Sequence, residues 1–165
     1  MTPSSECRQG YAKLIDCGLA KRLGETENTF TMAGTPVYFS PEMVKHTGYG
    51  RKSELWALGV LLHELVCSQP PFQPDLNSAG APNDKLMALF KLIVRDQPKF
   101  KEAAFTPPAI DLITKLLKKH PHDRIALPST RLHALYDGFN WESFSAKRMP
   151  PPFVPKPHPK LPPPR

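Results

Sequence analysis

Residues 53–67, Ser53-Glu-Leu-Trp-Ala-Leu-Gly-Val-Leu-Leu-His-Glu-Leu-Val-Cys67, carry eight large apolar side chains in fifteen positions. Leu55, Trp56, Leu58, Val60, Leu61, Leu62, Leu65 and Val66 spread nearly all the way round a helix of 3.6 residues per turn. A helix that is apolar on every side belongs at the centre of a protein, so this segment predicts a mainly helical fold built around it. Ser53 is the expected N-cap, and Glu54 suits the positive end of the helix dipole. Glu64 is a charge on an otherwise apolar helix and needs a partner. Gln69-Pro-Pro-Phe-Gln-Pro74 then stops the segment.

Outward from this helix, the spacing predicts a second over 83–95 (NDKLMALFKLIVR), with Asn83 as its cap. A third is expected over 107–119 (PPAIDLITKLLKK). Pro107 and Pro108 open it, Ile110, Ile113, Leu116 and Leu117 form its apolar stripe, and Lys118 and Lys119 close it. A short fourth helix is expected over Ser129 to Tyr136. Toward the N-terminus, residues 10–16 alternate loosely and read as a strand, while residues 17–42 are rich in Gly, Thr and Pro and read as a long loop. The strand runs into Asp16-Cys17-Gly18. A carboxylate at that point is either a metal ligand held at a strand end or one side of a hairpin turn. From Pro150 onward nine of sixteen residues are proline, which makes an extended tail.

The chain has 165 residues, 40% of them apolar, enough for one domain with a real core. No apolar run approaches the length of a membrane span, and the opening MTPSSECRQG has no apolar stretch of signal-peptide type. Cys7, Cys17 and Cys67 are an odd set without a C-x-x-C pair, which fits free thiols in a reducing, cytoplasmic setting. The net charge is +7, but Lys147, Arg148, Lys156, Lys160 and Arg165 lie after residue 144 with no acid among them. That leaves 17 basic and 15 acidic residues in the rest, so a nucleic-acid interface is not expected. His120-Pro-His122 has no further Cys or His at metal-site spacing.

Five segments in order carry a resemblance. They are Asp16-Cys-Gly18, Gly34-Thr-Pro-Val-Tyr-Phe-Ser-Pro-Glu42, Glu54-Leu-Trp-Ala-Leu-Gly-Val60, Pro70-Pro-Phe72, and Arg124 following His120-Pro121. Together they resemble the large lobe of a eukaryotic serine/threonine protein kinase. Gly138-Phe-Asn-Trp141 and Pro150-Pro-Pro-Phe153 are similar to the tail of the AGC group, nearest to the cyclic-GMP-dependent protein kinases. The resemblance implies a partial kinase domain over 1–139, from the metal loop onward, and an AGC-type Pro-rich tail over 140–165. His122-Asp123-Arg124 has the letters of the catalytic loop, but in the wrong order and place.

By this resemblance Asp16 ligates the magnesium that bridges ATP phosphates, with Gly18 giving the turn its freedom. Thr31 matches an activating phosphothreonine and Lys21 a cation that meets its phosphate. Thr35 matches a residue that supports the catalytic aspartate. Met32, Pro36 and Phe39 match the shallow apolar pocket for the residue after the phospho-acceptor. Glu64 matches a carboxylate that pairs with a substrate arginine. Glu42 and Arg124 match a structural ion pair between the activation segment and the helical core.

The departures are equally specific. The 165 residues hold no Gly-rich loop, no ATP-gripping lysine and no catalytic-loop Asp and Asn. ATP and magnesium belong to the family, but their binding by this chain alone is not expected, and the isolated chain is expected to be inactive. Cys17 stands for a phenylalanine, Glu54 for a buried aspartate, and Val37 for a glutamate that reads basic substrates. The apolar helix should also leave a bare face, because two helices that cover it in the family are not in the chain. The resemblance thus implies part of a kinase that phosphorylates protein substrates. The alternative is a non-catalytic binding module that acts through the Glu64 groove or the Pro-rich tail. Lys156-Pro-His-Pro-Lys-Leu-Pro162 loosely fits an SH3-type partner.

Overall fold

The computed structural model describes residues 10–24, 27–74, 81–101 and 104–154. Cys7 and the Lys156–Pro162 stretch lie outside the described residues. The chain divides into two compact units: Leu19–Asp137, and Met1–Gly18 together with Gly138–Arg165.

The larger unit is helical. A 3-10 turn at Pro36–Tyr38 leads into α1 (Pro41–Val44), α2 (Lys52–Cys67), α3 (Pro82–Arg95) and α4 (Pro107–Leu116). A 3-10 turn at Pro121–Asp123, α5 (Leu127–Arg131) and a last 3-10 turn at Ala134–Tyr136 complete it. The long helix stands where its apolar content placed it, packed on α4. Its Trp56 and Val60 share a core with Phe72, Leu89, Ile93, Phe105, Ala109, Ile113 and Leu117. Leu55 joins Leu112 and Leu116 in a second cluster.

Gly59 makes this packing possible. A Cβ built there would lie 2.9 Å from both Leu116 Cβ and Leu117 Cδ2, so any side chain would push the two helices apart. Other positions on α2 are open to solvent. Leu61, Leu65 and Val66 are 43%, 71% and 41% exposed, as the bare face read from the sequence requires.

Several local expectations are corrected. Ser53 lies inside α2 and not at its cap, and its hydroxyl donates to Gly50 O at 2.7 Å. The helix begins one residue earlier, on an Arg51 cap without a side-chain bond. Asn83 is likewise inside α3. The cap is Ala81, whose N–H donates to the Asp84 carboxylate at 3.0 Å. α4 ends at Leu116 because the Lys118 and Lys119 carbonyls turn away to accept from Arg124. The expected helix over 129–136 breaks in two. There the His133 side chain caps a new turn by accepting from Leu135 N–H at 3.2 Å, while its other nitrogen lies 2.7 Å from Asp111.

Among the described residues there is no strand. Residues 11–16 carry no regular structure, and Leu14 and Ile15 are 101% and 84% exposed. A strand needs a neighbour for its backbone bonds. The one bridge described is an isolated antiparallel pair, Thr29 with Tyr49. The long loop ends in order: the Pro36–Tyr38 turn falls inside it and α1 begins at its last two residues. Among the described residues no helix is long and apolar enough to cross a membrane.

The smaller unit contains α6 (Trp141–Ser145), capped by the Asn140 side chain, which accepts from Ser143 N–H at 2.8 Å. The rings of Phe139, Trp141 and Phe144 cluster at 4.7–6.2 Å.

Candidate functional site

The best-defined polar construction is centred on Arg124. Its guanidinium has five N–H donors, and each meets an oxygen. Nη1 and Nη2 each lie 2.7 Å from a different oxygen of Glu42. Nε donates to Lys118 O at 2.9 Å, Nη1 also to Lys52 O at 2.9 Å, and Nη2 to Lys119 O at 3.3 Å. Its plane lies over Trp56, with Cζ 5.3 Å from the ring centroid. One buried cation thereby joins α1, the first turn of α2 and the chain leaving α4. Burial alone would raise the Glu42 carboxyl, but the hydrogen bonds and charge of Arg124, with bonds from the Glu42 backbone and Ser40, together hold the group below its ordinary value.

Lys119 adds a second cation to the same core. Its ammonium donates to Ile93 O at 2.7 Å and sits 4.2 Å from the Phe72 centroid and 5.0 Å from that of Trp56. Burial, with Arg124 and Lys45 nearby, lowers it to about 8 against the opposing pull of Asp96. Nothing in the sequence marked this lysine beyond its place at a helix end. His63 was also missed. It is buried, with its ring nitrogens 2.8 Å from Gln69 O and 2.9 Å from Lys99 O. A histidine beside Glu64 on an apolar helix was the available signal.

The segment from Thr29 to Glu42 carries most of the other candidates. Thr31 is exposed, and its carbonyl accepts from the Tyr49 hydroxyl. Lys21 reaches Thr29 Oγ1 at 3.5 Å, two residues short of Thr31. Thr35 precedes the Pro36–Tyr38 turn, and its carbonyl accepts from Tyr38 N–H at 3.1 Å. Met32 lies at the surface and Pro36 is half-buried, whereas Phe39 is 6% exposed and stacked on Phe90. Phe39 therefore offers little surface to a ligand. Glu64 is half-buried, and its carboxylate accepts from the Tyr38 hydroxyl at 2.7 Å. That bond, with burial and the Glu64 charge, holds the Tyr38 phenol above its ordinary value. Tyr38 thus partners the charge on α2 and ties the turn before α1 to it.

Asp16 belongs to the smaller unit. It is exposed, has φ +60°, and its Oδ1 accepts from Gly18 N–H at 3.3 Å, a local turn closed by the side chain. Cys17 and Glu54 are also exposed. Magnesium takes oxygens in near-octahedral array. Among the described residues no three His, Cys, Asp or Glu side chains gather to hold a metal ion.

Comparison with known proteins agrees with the architecture. The protein kinase domain model matches residues 5–136. The chain is 34% identical over 154 residues to the cGMP-dependent protein kinase egl-4 of Caenorhabditis elegans, covering 89% of this chain and 19% of that protein. It is 33% identical over 153 residues to cGMP-dependent protein kinase, isozyme 1, of Drosophila melanogaster, covering 88% and 19%. Against cGMP-dependent protein kinase 2 of Homo sapiens it is 33% identical over 150 residues, covering 87% and 18%. The chain therefore spans under a fifth of the length of these relatives.

Proposed function

Because this chain belongs to the protein kinase domain family, within its serine/threonine branch, we propose that residues 29–64 form the peptide-facing side of a serine/threonine kinase. Protein kinases move the terminal phosphoryl group of ATP, with magnesium, to a protein hydroxyl. In this reading Thr31 is the activating phosphorylation site, with Lys21 as its cation. Thr35 supports the catalytic loop, Asp16 is one magnesium ligand, and Glu64 receives a substrate arginine. Met32 and Pro36 meet the residue after the acceptor, with Phe39 stiffening their base. The observation that carries the reading is the five-bond clamp of Arg124, which anchors Glu42 and so the segment 29–44 to the core. Such an anchor is what a segment that must present a peptide in one geometry needs. The chain alone lacks the groups that position ATP, so it binds peptide without transferring phosphate. The free thiols of Cys17 and Cys67 support a cytoplasmic setting.

The test is fluorescence anisotropy with a labelled peptide carrying Arg two residues before Ser. Glu64→Gln should weaken binding about ten-fold, the loss of one charge-assisted bond, and an Arg-to-Ala peptide should bind both proteins equally weakly. In the same preparation, ATP and magnesium should yield no phosphopeptide. Equal binding of the Arg and Ala peptides to the unaltered chain would sink the role of Glu64. Phosphotransfer that vanishes with Asp16→Ala would overturn the inactivity.

A further inference from the structure

The smaller unit brings together residues that are far apart in sequence. The Tyr11 hydroxyl donates to Lys147 O at 2.6 Å, with Met149 O 3.4 Å away, across 136 and 138 residues. The Lys147 ammonium lies 5.9 Å from the Tyr11 ring centroid. Gly10 has φ +77°, and a Cβ there would stand 2.1 Å from Phe153 O and 2.9 Å from Pro151 Cβ. No side chain fits between the backbone at Gly10 and the stretch 151–153.

The far side of the contact has its own constraint. α6 ends with Arg148 N–H donating to Ser143 O at 2.8 Å and Lys147 N–H donating to Phe144 O at 3.0 Å. This is a closing turn that normally places glycine in the left-handed region. Here Lys147 occupies it, with φ +56°. A lysine in that conformation carries a steric cost and persists where its surroundings hold it. The Lys147 carbonyl is the group that the Tyr11 hydroxyl grips. Arg148, the next residue, is paired with Glu142 at 3.0 Å.

We propose that Gly10 and Tyr11 form a latch that seats residues 147–153, with the Tyr11 hydroxyl as its releasable catch. The occupant is a segment of the same chain. Gly10 supplies the room, Tyr11 supplies the donor, and the Lys147 backbone is held in a conformation that presents its carbonyl. Anything that blocks the hydroxyl frees the segment beginning at Lys147 while leaving the helical unit intact. This inference does not depend on the kinase reading.

Limited trypsin digestion of the full chain, followed by mass spectrometry, reads the latch directly. Lys147 and Arg148 are exposed but held in a hydrogen-bonded turn that must unwind before trypsin can take the backbone, so the cleavage rate follows the open population. Tyr11→Phe keeps the ring and removes the donor. It should raise cleavage after Lys147 and Arg148 about five-fold, the effect of one net hydrogen bond, with cleavage after Arg124 in the core unchanged. Gly10→Ala should raise the same two cuts at least as much. Should Gly10→Ala fail to fold, with the Arg124 cut rising too, Tyr11→Phe decides. An unchanged rate at Lys147 and Arg148 in Tyr11→Phe overturns the latch. So does an equal rise at Arg124 in that variant, which would mean general loosening.

Discussion

At the scale of the residue, Arg124 shows how a buried charge is made tolerable. Every donor of its guanidinium has an acceptor, and the aromatic face of Trp56 covers its plane. Removing one partner leaves the other buried and unmatched, so Glu42→Ala or Arg124→Ala should each cost about 3–5 kcal/mol. That is a large part of the roughly 5–15 kcal/mol by which domains are stable. The midpoint of urea unfolding measures it. The pH dependence has a definite sign. Glu42 titrates lower when folded than when unfolded. Its contribution is therefore complete above the unfolded carboxylate value, about 4.3, and is lost as pH falls through the lower folded value. Glu42→Gln should flatten that part of the acid unfolding curve, and a curve as steep as the original would assign the acid loss to other groups. Sequence spacing alone does not pair two residues 82 apart. The resemblance named both, and the fold brings them to 2.7 Å. The three backbone carbonyls that complete the clamp could not be read at all, since any residue has a carbonyl and only the fold aims it.

At the scale of the element, helices were legible and their ends were not. α2, α3 and α4 lie where apolar spacing and proline stops put them, because those signals are local and repeat along the chain. Caps and breaks are single events that tertiary partners decide. Ser53 had the right chemistry for a cap, yet it sits inside the first turn and its hydroxyl donates back to the Gly50 carbonyl that precedes the helix. His133 split the expected last helix because Asp111, on α4, holds its ring. The close crossing of α2 and α4 rests on one residue, Gly59. Gly59→Ala should destabilise by about 1–3 kcal/mol through overpacking, despite alanine's better helix propensity. A second change, Leu117→Ala, should recover part of that loss in the double variant if contact with Leu117 is the cause. Urea unfolding of the two single variants and the double variant checks this, and additive losses would place the strain elsewhere.

At the scale of the whole molecule, the balance between core and surface dominates. The two clusters around Trp56 and Leu112 make a continuous packing under α2, but Leu61, Leu65 and Val66 face outward from it. Leu14, Ile15 and Leu19 are also exposed. At roughly 25 cal/mol per Å2, several bare large side chains forgo several kcal/mol of burial. The purified chain should therefore bind a hydrophobic dye and either melt broadly or self-associate. A monomer with a sharp melt and little dye binding would show that these residues suffice as they stand. The helical class, the central place of residues 53–67, their bare face and the family were all legible before any contact was known, because periodicity, composition and the order of short motifs need no partner to be read. Folding alone set the loss of the strand at 10–16, the ends of the helices, the burial of Phe39, the five acceptors of Arg124 and the bond from Tyr11 to the backbone at Lys147. Each depends on a group distant in sequence arriving at hydrogen-bond or van der Waals range, and that is a property of the packed chain.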